Sequence, residues 1–135
     1  MERLRERLSL AARALDSLAE LSGLDDPSAV ERDAAIQRFE YTFEAVWKAA
    51  QRFLLVVEGA AVGSPKACIR ASRDVELLDT PTTERSLEMA DDRNLTVHTY
   101  NEELSRAIYR RLDRHARVLR AWLAAIQRRL PPGKA

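Results

Sequence analysis

Residues Asn101–Leu130 decide the fold of this chain, and they read NEELSRAIYRRLDRHARVLRAWLAAIQRRL. Apolar side chains and one histidine recur there every three or four positions: Leu104, Ile108, Leu112, His115, Leu119, Trp122 and Ile126. This spacing places them on one side of an α-helix. The stretch therefore predicts a long amphipathic helix, which Pro131-Pro132-Gly133 ends.

Two more long helices precede it in the sequence. The first is predicted to end near Gly23 and the second to run from Ser28 to Glu58. The first carries the stripe Leu4, Leu8, Ala11, Leu15, Leu18 and Leu21. The second carries Ile36, Phe39, Phe43, Val46, Ala50, Phe53, Leu54 and Val57. Each stripe needs a packing partner, so the three long helices are expected to form one core.

Two short helices are predicted between the long ones. Pro at a first helical position indicates starts at Ser64-Pro65 and at Thr80-Pro81, giving helices over 65–78 and 80–93. No strand pattern is present. We predict an all-α, up-and-down bundle of about five helices, three long and two short, as one domain over residues 1–130 with a tail at 131–135.

Composition restricts the setting and the partners. The chain has 135 residues and a net charge of +1, yet residues 93–135 carry ten basic and three acidic side chains. Such a basic segment is expected where a polyanion binds, and it is equally typical of a solvated or ion-paired helix face. The single cysteine, Cys68, allows no internal disulfide, and the chain has neither an apolar signal core nor a membrane span. We expect a cytoplasmic protein.

The polar segment RNLTVHTY, residues 93–100, is the strongest functional signal. Its spacing R-x4-H-x-Y combines Arg93, a fixed cation suited to phosphate, with His98, which exchanges protons near neutral pH. Together they can cleave a phosphodiester without a metal. Structural roles remain open for each alone, with Arg93 at a helix end, His98 as a cap and Tyr100 as a surface aromatic. Asn94 either orients Arg93 or a phosphate, or caps the helix.

A second pair shows that spacing alone does not make a site. Arg110 and His115 share the R-x4-H spacing but lie inside the last helix. Five helical residues turn through about 140°, so their side chains point apart. His115 also belongs to the apolar stripe, and we expect it to be a core histidine.

Other polar clusters carry weaker signals. Arg106, Arg110, Arg114 and Arg117 form a basic face that can hold an RNA backbone, remain solvated or make ion pairs. Glu40 and Glu44, beside Arg38 and Lys48, are expected to form surface ion pairs on their helix. Two histidines and one cysteine provide no zinc set, and neither a metal nor a cofactor is predicted.

Three blocks together resemble a known family: RDAAIQRFEYTFE at 32–44 with Trp47-Lys48, Ser64-Pro65-Lys66 with Ile69-Arg70, and residues 93–102. The chain resembles the nucleotidyltransferase substrate-binding family, a branch of the HEPN domains that includes the HepT toxins. The resemblance spans roughly residues 5–125. It implies a helical bundle that forms a homodimer with the motif at the interface.

The same resemblance implies an activity and its control. Arg93 and His98 would be catalytic in a metal-independent endoribonuclease, with Asn94 assisting, and two chains would build one cleft. A cognate nucleotidyltransferase antitoxin would transfer AMP to Tyr100 and silence the toxin. Two other functions stay open: a non-catalytic subunit that presents a substrate to a partner nucleotidyltransferase, and a helical interaction module whose motif is structural.

Overall fold

The computed structural model describes residues 1–131, and their regular structure is helical throughout. The helices are α1 (Glu2–Ala19), α2 (Ala29–Val56), α3 (Pro65–Asp74), α4 (Thr80–Leu95) and α5 (Glu102–Arg129), with a 3₁₀ turn at Thr96–His98 between the last two. The predicted all-α bundle of three long and two short helices is confirmed. Most of the predicted tail, residues 132–135, lies outside the described residues.

Side-chain caps fix where helices α2 to α5 begin. The Ser28 hydroxyl accepts a hydrogen bond from the Glu31 amide, and the Glu31 carboxylate accepts one from the Ser28 amide. This reciprocal arrangement satisfies two amides that would otherwise lack partners at the start of α2. Asp79 caps α4 in a similar way by accepting from the Thr82 amide at 2.8 Å.

Helices α1, α2 and α5 pack against one another around the core, while α3 and α4 lie beside α2 and α5. The largest side chains with no more than 2% exposure come from all three long helices and from α3 and α4. They include Leu4, Leu15, Phe39, Phe53, Ile69, Met89 and Trp122. Cys68 is fully buried as well, and burial raises the pKa of its thiol to about 12 against the opposing effect of a hydrogen bond with Ser72. This thiol therefore stays protonated and structural.

Two helix ends differ from the sequence prediction in ways that matter. Helix α3 ends at Asp74, four residues before the predicted Leu78, because Glu76 adopts a left-handed conformation with φ of 65°. Helix α4 continues to Leu95, so Arg93 lies inside its last turn. No helix within residues 1–131 combines the length and apolar character that crossing a membrane requires.

Candidate functional site

The motif segment occupies the break between α4 and α5. The Thr99 amide donates to the Thr96 carbonyl at 3.3 Å, and the Asn101 amide donates to the His98 carbonyl at 3.0 Å. Asn101 then starts α5 by accepting from the Leu104 amide at 3.0 Å. The chain thus leaves the α-helical course after Leu95 and passes through a tight turn before α5 begins.

Arg93 is held by two groups that sequence analysis did not connect to it. Its Nη1 donates to the Thr96 hydroxyl at 3.1 Å and lies 3.8 Å from Glu40 Oε2 on α2. Thr96 Oγ1 in turn donates to the Arg93 carbonyl at 2.7 Å. The Arg93 side chain keeps 27% of its surface exposed. The guanidinium is therefore oriented by the protein while remaining accessible to an anion.

His98 and Tyr100 lie together on the surface. The Tyr100 hydroxyl is 3.4 Å from His98 Nδ1, and the two rings meet edge to face with centroids 5.9 Å apart. Tyr100 is 85% exposed and His98 is exposed. Asn94 is exposed too, and its side chain makes no hydrogen bond within residues 1–131. The four predicted site residues thus share one accessible segment, although Arg93 and His98 do not bond directly to each other there.

Apolar side chains on the same segment face solvent. Val97 is 68% exposed and Leu95 is 39% exposed, on either side of the buried Thr96. Exposed apolar residues that flank polar site residues are typical of a protein–protein contact surface. The segment therefore combines chemical groups with a surface on which a second chain can pack.

The basic face of α5 is mostly neutralised within the chain. Arg106 pairs with Glu102 at 2.6 Å, Arg114 lies 3.6 Å from Glu88, and Arg117 pairs with Asp113 one turn away. In residues 1–131, Arg110 makes no ion pair, and it lines an open cavity of about 640 Å³ whose charged lining includes Arg32 and Arg106 as well as Asp25, Asp26 and Asp113. Arg110 is therefore the member of this face whose charge is not taken up by an ion pair within the described residues.

A buried ion cluster beside the motif was missed by sequence analysis. Arg111 Nε and Nη2 donate to both oxygens of Asp92 at 2.7 and 2.8 Å. His115 Nε2 lies 2.7 Å from Asp92 Oδ2, and its fully buried ring stacks on Phe39 at 5.4 Å. Burial raises the pKa of Asp92, but the hydrogen bonds from His115 and Arg111 outweigh it and lower that pKa to about 2. The carboxylate therefore stays ionised.

The cluster of Asp92, Arg111 and His115 joins the two helices that carry Arg93 and its partner Glu40, which are α4 and α2. Asp92 immediately precedes Arg93 on α4, and Phe39 immediately precedes Glu40 on α2. His115 contacts both Asp92 and Phe39, so it ties α4 to α2 next to the Arg93–Glu40 pair. The sequence carried one signal for this cluster, the position of His115 on the apolar stripe. A buried histidine requires a polar partner.

The expected pairs of Glu40 and Glu44 with their own helix neighbours were wrong. Glu40 instead faces Arg93 from another helix, and Glu44 accepts from the Trp47 indole at 2.8 Å. Arg38 pairs at 2.9 Å with Glu20, the residue that follows α1. No group of three or more metal-ligating His, Cys, Asp or Glu side chains occurs in the part of the chain that the structure describes.

Several solved structures share this arrangement of helices. A crystal structure of a protein from Thermus thermophilus has 56% sequence identity and a TM-score of 0.85, covering 87% of this chain and 98% of its own. A mutant of the toxin–antitoxin pair MntA-HepT has 14% identity and a TM-score of 0.78, covering 95% and 99%. A tri-AMPylated Shewanella oneidensis HEPN toxin bound to an MNT antitoxin has 15% identity and a TM-score of 0.76, covering 93% and 96%.

The chain thus has the helical fold of the HEPN toxin structures. Among curated proteins no significant match exists. The sequence model of the family described as "Nucleotidyltransferase substrate binding protein like" matches residues 6–128, and the chain belongs to this family.

Proposed function

We propose that this protein is a metal-independent endoribonuclease toxin of a toxin–antitoxin pair, with Arg93 and His98 as its catalytic residues. The observation that carries the proposal is the placement of an oriented, accessible Arg93 and an exposed His98 on one turn beside Tyr100. The likeness in fold to HEPN toxins supports it. The histidine supplies proton transfer and the arginine supplies fixed positive charge, which are the two needs of phosphodiester cleavage.

The reaction follows from these two groups. The ribose 2′-oxygen attacks the adjacent phosphorus, the bond to the 5′-oxygen breaks, and a 2′,3′-cyclic phosphate remains. A neutral His98 accepts the proton of the 2′-hydroxyl, or a protonated His98 donates one to the leaving 5′-oxygen. Arg93 stabilises the negative charge that accumulates on the phosphoryl oxygens. DNA lacks the 2′-hydroxyl and is not cleaved.

A homodimer completes the site in this proposal. Val97 and Leu95 provide exposed apolar surface beside the catalytic residues, and a second copy packing there brings a second His98 to the same cleft. One histidine then acts as the base and the other as the acid. In the proposed cleft Asn94, which is exposed next to Arg93, hydrogen-bonds the phosphate. Arg110 contacts the RNA backbone, and Arg106 and Arg114 do so by exchanging Glu102 and Glu88 for phosphates.

Tyr100 is the proposed point of control. Tyr100 is 85% exposed, and its hydroxyl lies 3.4 Å from His98 Nδ1. A cognate nucleotidyltransferase antitoxin joins the tyrosine oxygen to the α-phosphorus of ATP, pyrophosphate leaves, and the phenolic proton is released. The AMP group places bulk and negative charge against the catalytic histidine, which blocks the substrate and repels its phosphates.

The family description favours a second function. A substrate-binding subunit without catalysis would use the same exposed segment to present a substrate to a partner nucleotidyltransferase. In that case Arg93 and His98 bind but do not cleave.

RNA cleavage by the unmodified chain in the presence of a chelator separates these functions. We expect cleavage products that end in 2′,3′-cyclic phosphate, intact DNA, and loss of activity in both Arg93→Ala and His98→Ala. Equal cleavage by all three proteins would indicate a contaminating nuclease. No cleavage by the wild type, with a mass that proves Tyr100 unmodified, would favour the substrate-binding subunit. Separately, the nucleotidyltransferase and ATP should add AMP to the wild type and leave Tyr100→Phe without the adduct.

A further inference from the structure

A second, smaller pocket lies between the first turns of α1 and the end of α2. Its volume is about 270 Å³, and its charged lining consists of Arg3, Arg7, Lys48 and Arg52. Leu55 on α2 and Val62 in the following loop form an apolar wall. Along α2, Lys48 and Arg52 are two and three turns beyond Glu40, about 12 and 18 Å from it. The pocket is therefore distinct from the motif segment.

The four cations of this pocket converge without an internal counter-charge. Within residues 1–131 nine other arginines pair with a carboxylate, as Arg38, Arg106 and Arg129 do. Arg3, Arg7, Lys48 and Arg52 have no ion-pair partner in residues 1–131, and no acidic residue lines the pocket. Arg52 Nε is in addition buried without a hydrogen-bond acceptor. Like charges that converge in a cleft without a counter-charge create a strong local field for an anion.

The pocket is also held in shape before any ligand arrives. Gln51 Nε2 donates to the Val62 carbonyl at 2.6 Å and fixes the loop against α2. Lys48 Nζ lies 5.6 Å from the ring centre of Trp47, a cation–π contact that restricts the ammonium. A preformed site loses less conformational entropy when a ligand binds.

The residue types indicate a phosphate rather than a peptide. Guanidinium groups offer paired donors that match phosphate oxygens, and lysine adds a compact positive charge. The apolar wall formed by Leu55 and Val62 suits the face of a sugar or a base. The small volume excludes a helix or a folded loop and admits roughly one nucleotide unit.

We propose that this pocket binds the phosphate groups of a nucleotide, either free or within an RNA strand. The proposal goes beyond the cleavage reaction, since none of its residues belongs to the motif segment, and it holds whether or not the protein cleaves RNA. Binding is therefore tested with ligands that do not react.

The test measures the affinity of the full chain by calorimetry for ATP and pyrophosphate, and by fluorescence anisotropy for a short 2′-O-methyl RNA, which lacks the attacking hydroxyl. The variant Arg7→Gln/Arg52→Gln removes two pocket cations. The control Arg13→Gln/Arg128→Gln removes two exposed cations outside the pocket, so both proteins have the same net charge. Lys48→Gln provides a single change in case the double variant fails to fold.

We expect at least one phosphate ligand to bind the pocket variant about tenfold more weakly than the wild type, with less than about a threefold change in the control. Loss of ATP affinity identifies a free nucleotide as the ligand, and loss of RNA affinity alone identifies the strand. Equal losses in the pocket variant and the control would overturn the proposal. So would a wild type that binds none of the phosphate probes, or one that binds a hexaglutamate peptide more tightly than any of them.

Discussion

The chain contains two Arg-x4-His pairs, and the structure gives them opposite environments. Arg93 and His98 are separated by the end of α4 and the 3₁₀ turn, and both reach the surface. Arg110 and His115 lie within the continuous α5, where His115 is fully buried and Arg110 points into an open cavity. Identical spacing thus yields a candidate catalytic pair in one place and two unrelated side chains in the other.

The difference teaches that a break in a helix matters more than the spacing of its residues. Inside α5 the helical rotation directs Arg110 outward, and His115 turns inward to Asp92, the carboxylate that Arg111 also binds. At the end of α4 the chain leaves the helix through the 3₁₀ turn, and His98 is exposed beside Tyr100. We infer that the buried pair's histidine stabilises the fold, while the exposed pair carries out chemistry.

The largest expected effect concerns the buried cluster. Asp92→Ala leaves Arg111 and His115 without their carboxylate, and we expect the free energy of unfolding to fall by about 3–5 kcal/mol. The matched control is Asp91→Ala, because Asp91 forms an exposed pair with Lys66 and its loss should cost less than about 1 kcal/mol. Urea unfolding followed by circular dichroism measures both. Similar losses in the two variants would show that burial does not distinguish the neighbouring carboxylates.

The loss of stability at acid pH gives a second test of the buried Asp92 cluster. The pKa of Asp92 is about 2 in the folded chain and 3.8 when unperturbed. A lowered folded pKa stabilises the protein above pH 4, and that contribution, about 2 kcal/mol, is lost as the pH falls from about 4 to 2. Asp92→Asn should lack this part of the pH dependence. The assignment of this pKa to Asp92 would be contradicted if the free energies of unfolding of the wild type and of Asp92→Asn fell in parallel between about pH 5 and pH 2.

A smaller effect is expected at Glu40, which follows Phe39 of the buried cluster and lies beside Arg93 of the exposed pair. Glu40→Gln removes the charge 3.8 Å from Arg93 and should lower the RNA cleavage rate about tenfold, with a stability change below about 1 kcal/mol. Glu20→Gln, which removes the ion-pair partner of Arg38 at the end of α1, serves as the control and should retain full activity. A single-turnover assay with chelator compares the three proteins. Unchanged cleavage by Glu40→Gln would mean that Arg93 does not need this carboxylate for its orientation.

The smallest expected effect separates Arg110 from its sequence partner His115. Arg110→Gln should weaken binding of 2′-O-methyl RNA a few-fold and reduce the salt dependence of the affinity by about one phosphate contact. Stability should change by less than about 0.5 kcal/mol, because the side chain has no acidic partner in residues 1–131. Arg117→Gln, whose cation is already paired with Asp113, should change RNA binding less. A large loss of stability in Arg110→Gln would indicate that Arg110 belongs to the structural cluster.

The helices were predictable because their apolar stripes are regular and their caps are explicit. Every helix boundary that the sequence predicted falls within four residues of the observed one, and the break around His98 was expected from the polar segment. The end of α3 was not predicted, since the left-handed Glu76 carries no glycine or asparagine signal.

The supports of the site could not be predicted in the same way. The Arg93–Glu40 contact and the Asp92–His115 contact join residues 53 and 23 positions apart, and only the packing of α2, α4 and α5 brings them together. Local periodicity describes one helix at a time, so it gave the burial of His115 but not its partner. The sequence indicated the candidate residues for the proposed chemistry, and the tertiary structure shows which contacts orient Arg93.

Parallel measurement of RNA cleavage and thermal stability in His98→Gln and His115→Gln tests the central distinction most directly. Both variants lose one histidine to the same neutral side chain, and cleavage is measured with chelator at a temperature where both are folded. We predict that His98→Gln loses at least about 100-fold in rate with an unchanged Tm, whereas His115→Gln keeps its rate within about tenfold and loses roughly 6 °C or more in Tm. Full cleavage by His98→Gln, or an unchanged Tm in His115→Gln, would contradict the assignment of chemistry to the exposed pair and stability to the buried one.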